Sequence, residues 1–378
     1  MLTPIAAFAA KNLRSTLRAP LFAVVAVIVP VAFTALYAVV VSVSTTAPVA
    51  VALEDTSPEA VAFVDTMRGL RNADGPLYEI RTTDPDQARA WYADGSVGAL
   101  VTIPDGFGAA VSAGRPAPVE VRVVSINADG VKNQHLRLEA AVRAFEHAHT
   151  DPSGHLAVTE STVLDHDIGI RDYLGTALLI FAALYAGIVG AGTSVAREFE
   201  GRTITALVLS PSGAPAFVAG TWAAITLTSV VTLSAAVLAV GLTLGIDLTR
   251  IGPVGLAALV VSWSYGVGWG LTLGTLLRRS LPLVPLAVLI AVAHFLVCGY
   301  ESYLRGFAQG GAIEILWRAT AWIPLSGVID AARFELAGLA APPGSMAAFG
   351  WTVGLTVVLA AAASLLLTRR AQLITHGQ

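Results

Sequence analysis

Long apolar runs alternate with short charged segments along most of this chain. A helix that spans a bilayer needs about 20 apolar residues, because unpaired backbone polar groups are costly in lipid. Charge-free intervals of this kind predict transmembrane spans at 21–43, 173–196, 216–244, 252–277, 281–299 and 346–368. The interval 281–299 is the shortest of them. The pattern therefore predicts a polytopic α-helical membrane protein with six transmembrane helices.

The segment 48–172 has a different pattern, in which short β-branched runs alternate with capped helices. Helix starts are indicated by Ser57-Pro58-Glu59 and Asp84-Pro85-Asp86, each with a cap residue, a proline and an acidic residue in order. Strands are predicted at 49–53, 77–81, 97–103 and 119–125, and a long helix at 131–147. About 125 residues are enough for a separate core, so we expect one compact α/β domain inserted after the first span.

The distribution of basic residues predicts the orientation of the spans, because short basic loops stay cytoplasmic. With both termini inside, the cytoplasmic segments contain two acidic residues, Glu198 and Glu200. They contain nine basic residues, namely Lys11, Arg14, Arg18, Arg197, Arg202, Arg278, Arg279, Arg369 and Arg370. This N-in/C-in topology makes the α/β domain extracytoplasmic and 369–378 a cytoplasmic tail. We expect the protein in the cytoplasmic membrane, most simply that of a bacterium.

Composition supports a membrane location and excludes one class of partner. The chain is 55% hydrophobic and 13% charged, with a mean hydropathy of +0.70. The segment 48–172 is acidic, with 19 acidic and 10 basic residues. No basic surface indicates nucleic-acid binding. The single cysteine, Cys298, can form no disulfide within the chain.

The segment 1–20 precedes the first span and is amphipathic. Lys11, Arg14 and Arg18 share one helical face, whereas Ile5 and Phe8 lie on another. This pattern predicts a helix lying on the inner leaflet of the membrane. A basic flank of a signal anchor is an alternative of nearly equal weight.

The segment 197–213 follows the second span and is the most informative part of the sequence. Charges crowd its beginning, and Ile204, Leu207 and Val208 then form an apolar stripe at helical spacing. We expect a short amphipathic helix on the cytoplasmic face. Such a helix either docks into another protein or anchors itself at the lipid surface, and periodicity does not separate these readings.

The string AREFEGRTITALVLSPSG in this segment resembles the segment of ABC-2 type permeases that contacts the ATPase. Three other stretches, LRSTLRAPLF, VGALVTIPDGFGAAVSAG and WIPLSGVIDAARFELAG, resemble further parts of the same family in the same order, including the subgroup with a large extracytoplasmic domain. The resemblance implies a coupling helix that contains Arg197, Glu198, Phe199, Glu200, Gly201, Arg202 and Thr203. Glu198, Glu200 and Arg202 are then expected to face the ATPase.

The resemblance also implies partners. Neither Lys11 nor Lys132 belongs to a phosphate-binding loop motif, so ATP and magnesium are expected in a separate ABC ATPase dimer and no cofactor in this chain. A second copy of the permease, or a related one, is expected to complete the pathway within membrane lipid. We expect a transport subunit that is not itself an enzyme.

The segment 300–340 is predicted to form outer re-entrant or interfacial helices. The family's comparable helices cap the exit, so the resemblance makes this segment a candidate gate. Its candidate residues are Glu301, Arg305, Glu314, Arg318, Pro324, Asp330 and Arg333. The charges fall at i, i+4 or i, i+3 spacing and are expected to pair. Simple surface ion pairing explains them at about even odds.

Two features within the spans remain open. His294 is a polar candidate at membrane depth, although a structural role is favoured. Gly266, Gly270 and Gly274 permit close helix packing, either within or between subunits. The histidines near 147–155 match no metal-ligand spacing, and we expect no metal site.

The leading hypothesis is an exporter permease that moves an amphiphilic or hydrophobic compound, such as a drug, antibiotic or lipid, outward. One alternative is a membrane-anchored receptor or surface interaction protein that uses the acidic outer domain. Another is a membrane enzyme, for which Ser194 and His294 are weak candidates without motif context.

Overall fold

The computed structural model describes residues 2–376, apart from 19, 46, 73–74, 95, 124–127, 150–167, 209, 212 and most of 300–321. The chain divides into two compact units, one made of 1–38 and 170–378 and the other of 39–169. The first unit is helical, and the second contains a β-sheet.

Two helices begin the chain. α1 (Leu2–Arg18) packs along a later helix, where the Phe8 ring meets Phe217 edge-on with centroids 5.8 Å apart and the Asn12 amide donates to Thr221 Oγ1 at 3.1 Å. α2 (Leu21–Thr45) is apolar and contains Pro30. The amphipathic helix predicted for 1–20 is therefore confirmed as a helix, and its apolar face lies against protein.

The 39–169 unit is built around a four-stranded sheet whose strands lie side by side in the order 78–82, 47–53, 99–103 and 120–123. β1 (Ala47–Leu53) pairs in parallel with β4 (Tyr78–Thr82) and β5 (Ala99–Ile103), and β6 (Glu120–Val123) is antiparallel to β5. The short strands β2 (Arg71–Asn72) and β3 (Gly75–Pro76) form a separate pair. The helices are α3 (Pro58–Gly69), α4 (Pro85–Ala93), α5 (Phe107–Ser112) and α6 (Ala128–His149). All four predicted strands and the long helix are confirmed.

Both predicted helix caps are also present in this unit. Ser57 Oγ accepts from Ala60 N at 3.3 Å, and Asp84 Oδ1 accepts from Gln87 N at 2.8 Å, with a proline next in each case. The core includes a trio of aromatic rings, Phe63, Phe107 and Phe145.

The remaining elements are helical. They are α7 (Ile170–Glu200), α8 (Ile204–Val208), α9 (Gly213–Leu244), a 3₁₀ turn (Leu248–Arg250), α10 (Pro253–Leu277), α11 (Leu283–Gly299), α12 (Leu325–Leu336) and α13 (Ser345–His376). Within the described residues, α2, α7, α9, α10 and α13 are long and apolar enough to cross a membrane. α11 has 17 residues, about 26 Å of helix against a hydrocarbon core of about 30 Å. The six-span count therefore stays a prediction.

Glycines bring α7 and α10 into close contact. A Cβ added at Gly266 or Gly270 would collide with the backbone oxygen of Leu184 or Ile188, and one at Gly274 would lie 2.6 Å from Gly192 O. The small-residue stripe of α10 thus packs against α7 of the same chain. This answers the question that the sequence left open.

Contacts between helix termini define two ends of this bundle. At one end, the last turn of α7 meets α1 and the residues before α11. At the other end, the start of α7 meets the C-terminus of α11 and the 3₁₀ turn before α10. Successive long helices therefore run in alternating directions, as a chain that crosses back and forth requires.

Candidate functional site

The end of the bundle formed by the last turn of α7, which is the inner end in the predicted topology, contains an ion pair whose carboxylate is buried. Lys11 Nζ of α1 lies 2.5 Å from Glu198 Oε2 of α7, and the hydroxyl of Thr203 donates to the same carboxylate oxygen. The side chain of Glu198 is 8% exposed. A carboxylate this buried is stable only with such partners, since an unpaired buried charge is costly. This contact therefore ties α1 to the end of α7.

That Glu198 faces a partner protein stays a prediction, although most of its side chain is covered within the chain. Its carboxylate points into the chain, where Lys11 and Thr203 satisfy it. The sequence motif identifies Glu198 as a charged residue but does not indicate which way its carboxylate points. Lys11 lies 187 positions away, and no local pattern indicates that contact.

Glu200 fastens the same end to the next helix hairpin. Its carboxylate accepts from Ser280 N at 2.8 Å and from Ser280 Oγ at 3.0 Å. Ser280 lies between the end of α10 and the start of α11. Glu200 is nevertheless exposed, so it both braces the hairpin and borders the surface.

The segment 197–213 is not one helix, contrary to the prediction. Arg197 to Glu200 complete α7, and a turn through Gly201, Arg202 and Thr203 separates it from the five-residue α8. Thr203 N donates to Glu198 O at 3.0 Å, and Arg202 N donates to Phe199 O at 3.1 Å. These two bonds form a Schellman motif. The helix therefore ends here in a backbone hydrogen-bonding motif.

Arg202 occupies the left-handed position of this motif, with φ of 56°. Glycine is usual there because a Cβ strains this conformation. Gly201, Arg202 and Thr203 are all exposed. We call 200–203 the inner turn. The inner turn exposes the Arg202 side chain, and the contacts of Glu198 and Glu200 hold the base of the turn.

Two other predicted coupling residues make cation–π contacts beside the inner turn. The Arg197 guanidinium lies 5.0 Å from the Phe22 ring centroid, and Arg278 lies 5.9 Å from that of Phe199. These contacts connect α7 to α2 and to the end of α10. Of the seven predicted residues, Glu200, Gly201, Arg202 and Thr203 are exposed and the other three are partly or fully covered.

At the opposite end, which is the outer end in the predicted topology, Arg333 of α12 is 1% exposed. Its guanidinium donates to Asp330 Oδ1 at 2.9 Å, to Tyr173 O at 3.2 Å and to Gly299 O, and it lies 3.5 Å from the Tyr173 ring centroid. The predicted pair with Asp330 is present, and surface ion pairing is excluded for it because Arg333 is buried. This side chain ties α12 to the start of α7 and the end of α11.

Glu335, two residues later, caps a different helix. Its carboxylate accepts from the backbone N–H groups of Gly252, Val254 and Gly255 at 3.1, 2.9 and 2.6 Å. Gly252 offers no side chain to cap α10, so Glu335 replaces the usual cap at a positive helix end. No local sequence pattern predicts this role for Glu335. The glycine before Pro253 signals a helix start that lacks a cap, but not which acceptor supplies it.

The other gate candidates are only partly described. Glu301, Arg305 and Glu314 lie outside the described residues, and Arg318 is exposed. Pro324 precedes the first turn of α12. The predicted gate therefore rests, in the part of the chain that the structure describes, on α12 and its neighbours.

His294 on α11 is accommodated by its own surroundings. Its Nδ1 lies 2.8 Å from Ile290 O, and its ring centroid lies 5.8 Å from Tyr265 and 6.3 Å from Trp269. A bond within the helix and two aromatic contacts explain this polar side chain without a transport role.

These features describe a multi-pass helical membrane protein with braced loops at both ends of its bundle. Residues 21–366 match the family model described as ABC-2 family transporter protein, and the chain belongs to that family. It is accordingly a membrane permease of an ABC transporter. No curated protein and no solved structure matches the chain.

Proposed function

We propose that this chain is the permease subunit of an ABC exporter, and that the inner turn receives the movement of a separate ATPase. The observation that carries the proposal is that Arg202 is exposed on a turn whose base is locked by the Lys11–Glu198–Thr203 and Glu200–Ser280 contacts. A segment that transmits force must be exposed at its tip and rigid at its base.

The contacts of the inner turn support transmission to several helices at once. Glu198 connects the turn to α1, and Glu200 connects it to the α10–α11 hairpin. α1 is in turn bonded to α9 through Asn12 and Thr221. A displacement of the turn therefore moves α1, α7, α9 and α11 together instead of bending a loop.

The glycine contacts of α7 extend this path toward the outer end. Because Gly266, Gly270 and Gly274 leave no side-chain layer between α7 and α10, the two helices move as one body. At their far ends, Arg333 and Glu335 hold α12 to α7, α10 and α11. We propose that α12, with Pro324, Asp330 and Arg333, forms the outer gate.

We propose that the transported compound is amphiphilic or hydrophobic and that it is moved outward. A cavity in the inner half of the bundle, bordered by Arg197 and Ser194, measures about 30 Å³. This volume suits one or two water molecules, whereas organic ligands occupy about 300–1,000 Å³. We therefore propose that a pathway is completed by a second permease copy, with ATP and magnesium bound by the ATPase dimer.

The experiment is co-purification of the chain with its cognate ATPase in lipid nanodiscs, with ATPase activity as the second readout. Arg202→Glu reverses the exposed charge, whereas Arg202→Gly removes it and suits the left-handed backbone. We expect Arg202→Glu to reduce both recovery and activity by about ten-fold, equivalent to about 1.4 kcal/mol, and Arg202→Gly to have a smaller effect. Glu79→Arg on the separate 39–169 unit is the charge-reversal control.

Wild-type recovery and activity in Arg202→Glu would contradict the proposed role of the turn. A chain that never retains an ATPase, in any variant, would favour the receptor function instead.

A further inference from the structure

A groove beside the outer gate has the size and chemistry of a ligand site. It lies between the start of α12 and the start of α13 and has a volume of about 790 Å³. The described lining residues are Trp322, Ile323, Pro324, Ser326, Gly327, Asp330, Pro342, Pro343, Gly344, Ser345, Ala347, Ala348, Trp351 and Leu355. Most are apolar, as in sites that bury an organic molecule around a few polar groups.

A carboxylate lines the groove. Asp330 is the one ionisable residue among the described lining residues. Its partner Arg333 is not among them, because the guanidinium is 1% exposed and is held by Tyr173 and Gly299. A molecule in the groove therefore contacts the Asp330 carboxylate, whereas the Arg333 guanidinium is buried behind the groove lining.

Ser326 provides a second, independent indication of a ligand. It is 7% exposed and lines the groove one helical turn before Asp330, and its hydroxyl has no hydrogen-bond partner in the described part of the chain. A buried hydroxyl without a partner costs free energy that a bound donor or acceptor recovers. The hydroxyl and the carboxylate lie on the same face of α12.

Two tryptophans border this polar face. Trp322 is 87% and Trp351 is 71% exposed. Indole rings attract cations over their faces. A position at the lipid–water interface explains exposed tryptophans by itself, but it does not explain a buried hydroxyl without a partner next to a carboxylate.

We propose that this groove binds a hydrophobic cation with a protonated amine. The ammonium group lies between Asp330 and Ser326, the tryptophan rings cover it, and the apolar part lies along the prolines and alanines. This chemistry is available from a free amphiphilic amine or from the ammonium headgroup of a lipid. The site goes beyond the proposed function, since binding requires no ATPase.

The test measures equilibrium binding of radiolabelled decylamine to the full chain in phosphatidylglycerol nanodiscs, with empty nanodiscs subtracted. Decanoate, of equal chain length and opposite charge, is the matched probe. We expect saturable binding of decylamine and none of decanoate. Ser326→Ala and Trp351→Leu, which leave the contacts of Arg333 in place, are expected to weaken binding about five-fold each. Trp222→Leu on α9, outside the groove, is the control and retains wild-type affinity.

Nanodiscs that contain phosphatidylethanolamine distinguish the two sources of the amine. If this lipid competes with decylamine, the site binds a lipid headgroup. If it does not compete, the site binds a free amine. Either result supports the proposal. Equal binding of both probes, no saturable binding, or wild-type affinity in both groove variants would overturn it. The proposal would also be overturned if the chain bound no amine and formed a dimer that Trp351→Leu dissociates. The groove would then be assigned to contact with a second copy.

Discussion

Replacing Glu335 by alanine removes the cap of a helix 80 residues earlier in the chain. Three backbone N–H groups, those of Gly252, Val254 and Gly255, lose their acceptor together. Losing an ordinary cap costs about 0.5–2 kcal/mol, and a carboxylate at a helix N-terminus adds about 0.3–2 kcal/mol. Because these contributions overlap, we expect local opening at this helix start to become easier by about 2 kcal/mol.

Hydrogen exchange followed by mass spectrometry measures this opening directly. A change of about 2 kcal/mol corresponds to about 30-fold faster exchange, confined to the amides of Gly252, Val254 and Gly255, since Pro253 has none. Glu335→Gln keeps one acceptor and loses the charge, so a smaller acceleration is expected. Glu79→Ala, which removes an exposed partner of Arg81, is the control and leaves these amides unchanged.

Exchange at the wild-type rate in this segment of Glu335→Ala would show that Glu335 does not cap α10. Faster exchange throughout the bundle would mean that Glu335 stabilises the whole unit and not the helix start. A crowded neighbour gives an independent check. A Cβ at Gly252 would lie 2.6 Å from Glu335 Oε1, so Gly252→Ala is expected to displace the carboxylate and accelerate exchange of Val254 and Gly255.

Three further outcomes are expected. Arg202→Gly relieves a left-handed backbone position and should stabilise the chain by about 0.5–1 kcal/mol, measured as a higher thermal midpoint, whereas Arg202→Val should lower it; equal midpoints would contradict the strain argument. Gly270→Leu should separate α7 from α10 and cost more than about 1–3 kcal/mol, while Gly350→Leu, where an added Cβ meets nothing within 4 Å, should be tolerated; equal losses of folded protein would refute the packing argument. The pKa of Asp55 is lowered, first by its bond from Gly108 N and then by Ser57, so its stabilising effect is present above the ordinary carboxyl pKa and is lost as pH falls through the lowered folded value. Asp55→Asn should therefore reduce the acid dependence of thermal unfolding between about pH 5 and pH 2, and an unchanged pH profile would show that the Asp55 bonds do not contribute.

Much of the local structure follows from patterns within a few residues. Ser57 and Asp84 cap their helices because a short oxygen-bearing side chain before a proline reaches the next backbone N–H groups. The apolar intervals predict the long helices because lipid and core both require continuous apolar surface. Whether α11 spans the membrane is less well determined, since its length of 17 residues suits either a short span or a buried helix.

The family motif was also readable from the sequence, but its geometry was not. The string at 197–213 indicated a coupling segment, and it contained no sign that a Schellman motif would divide it at Arg202. The exposed tip of the inner turn is therefore a property of backbone hydrogen bonds that local charge patterns do not encode.

The sequence by itself determined where the chain is apolar, where helices and strands begin, and which family it belongs to, because these depend on residues close together in the chain. Only the tertiary structure decided which way each charge points. Glu198 turns inward to Lys11, which is 187 residues away in the sequence. Arg333 is buried against Tyr173, 160 residues away. Glu335 caps the helix start at Gly252, 83 residues away. Buried charges must find partners wherever packing brings them, and packing joins segments that no local pattern connects.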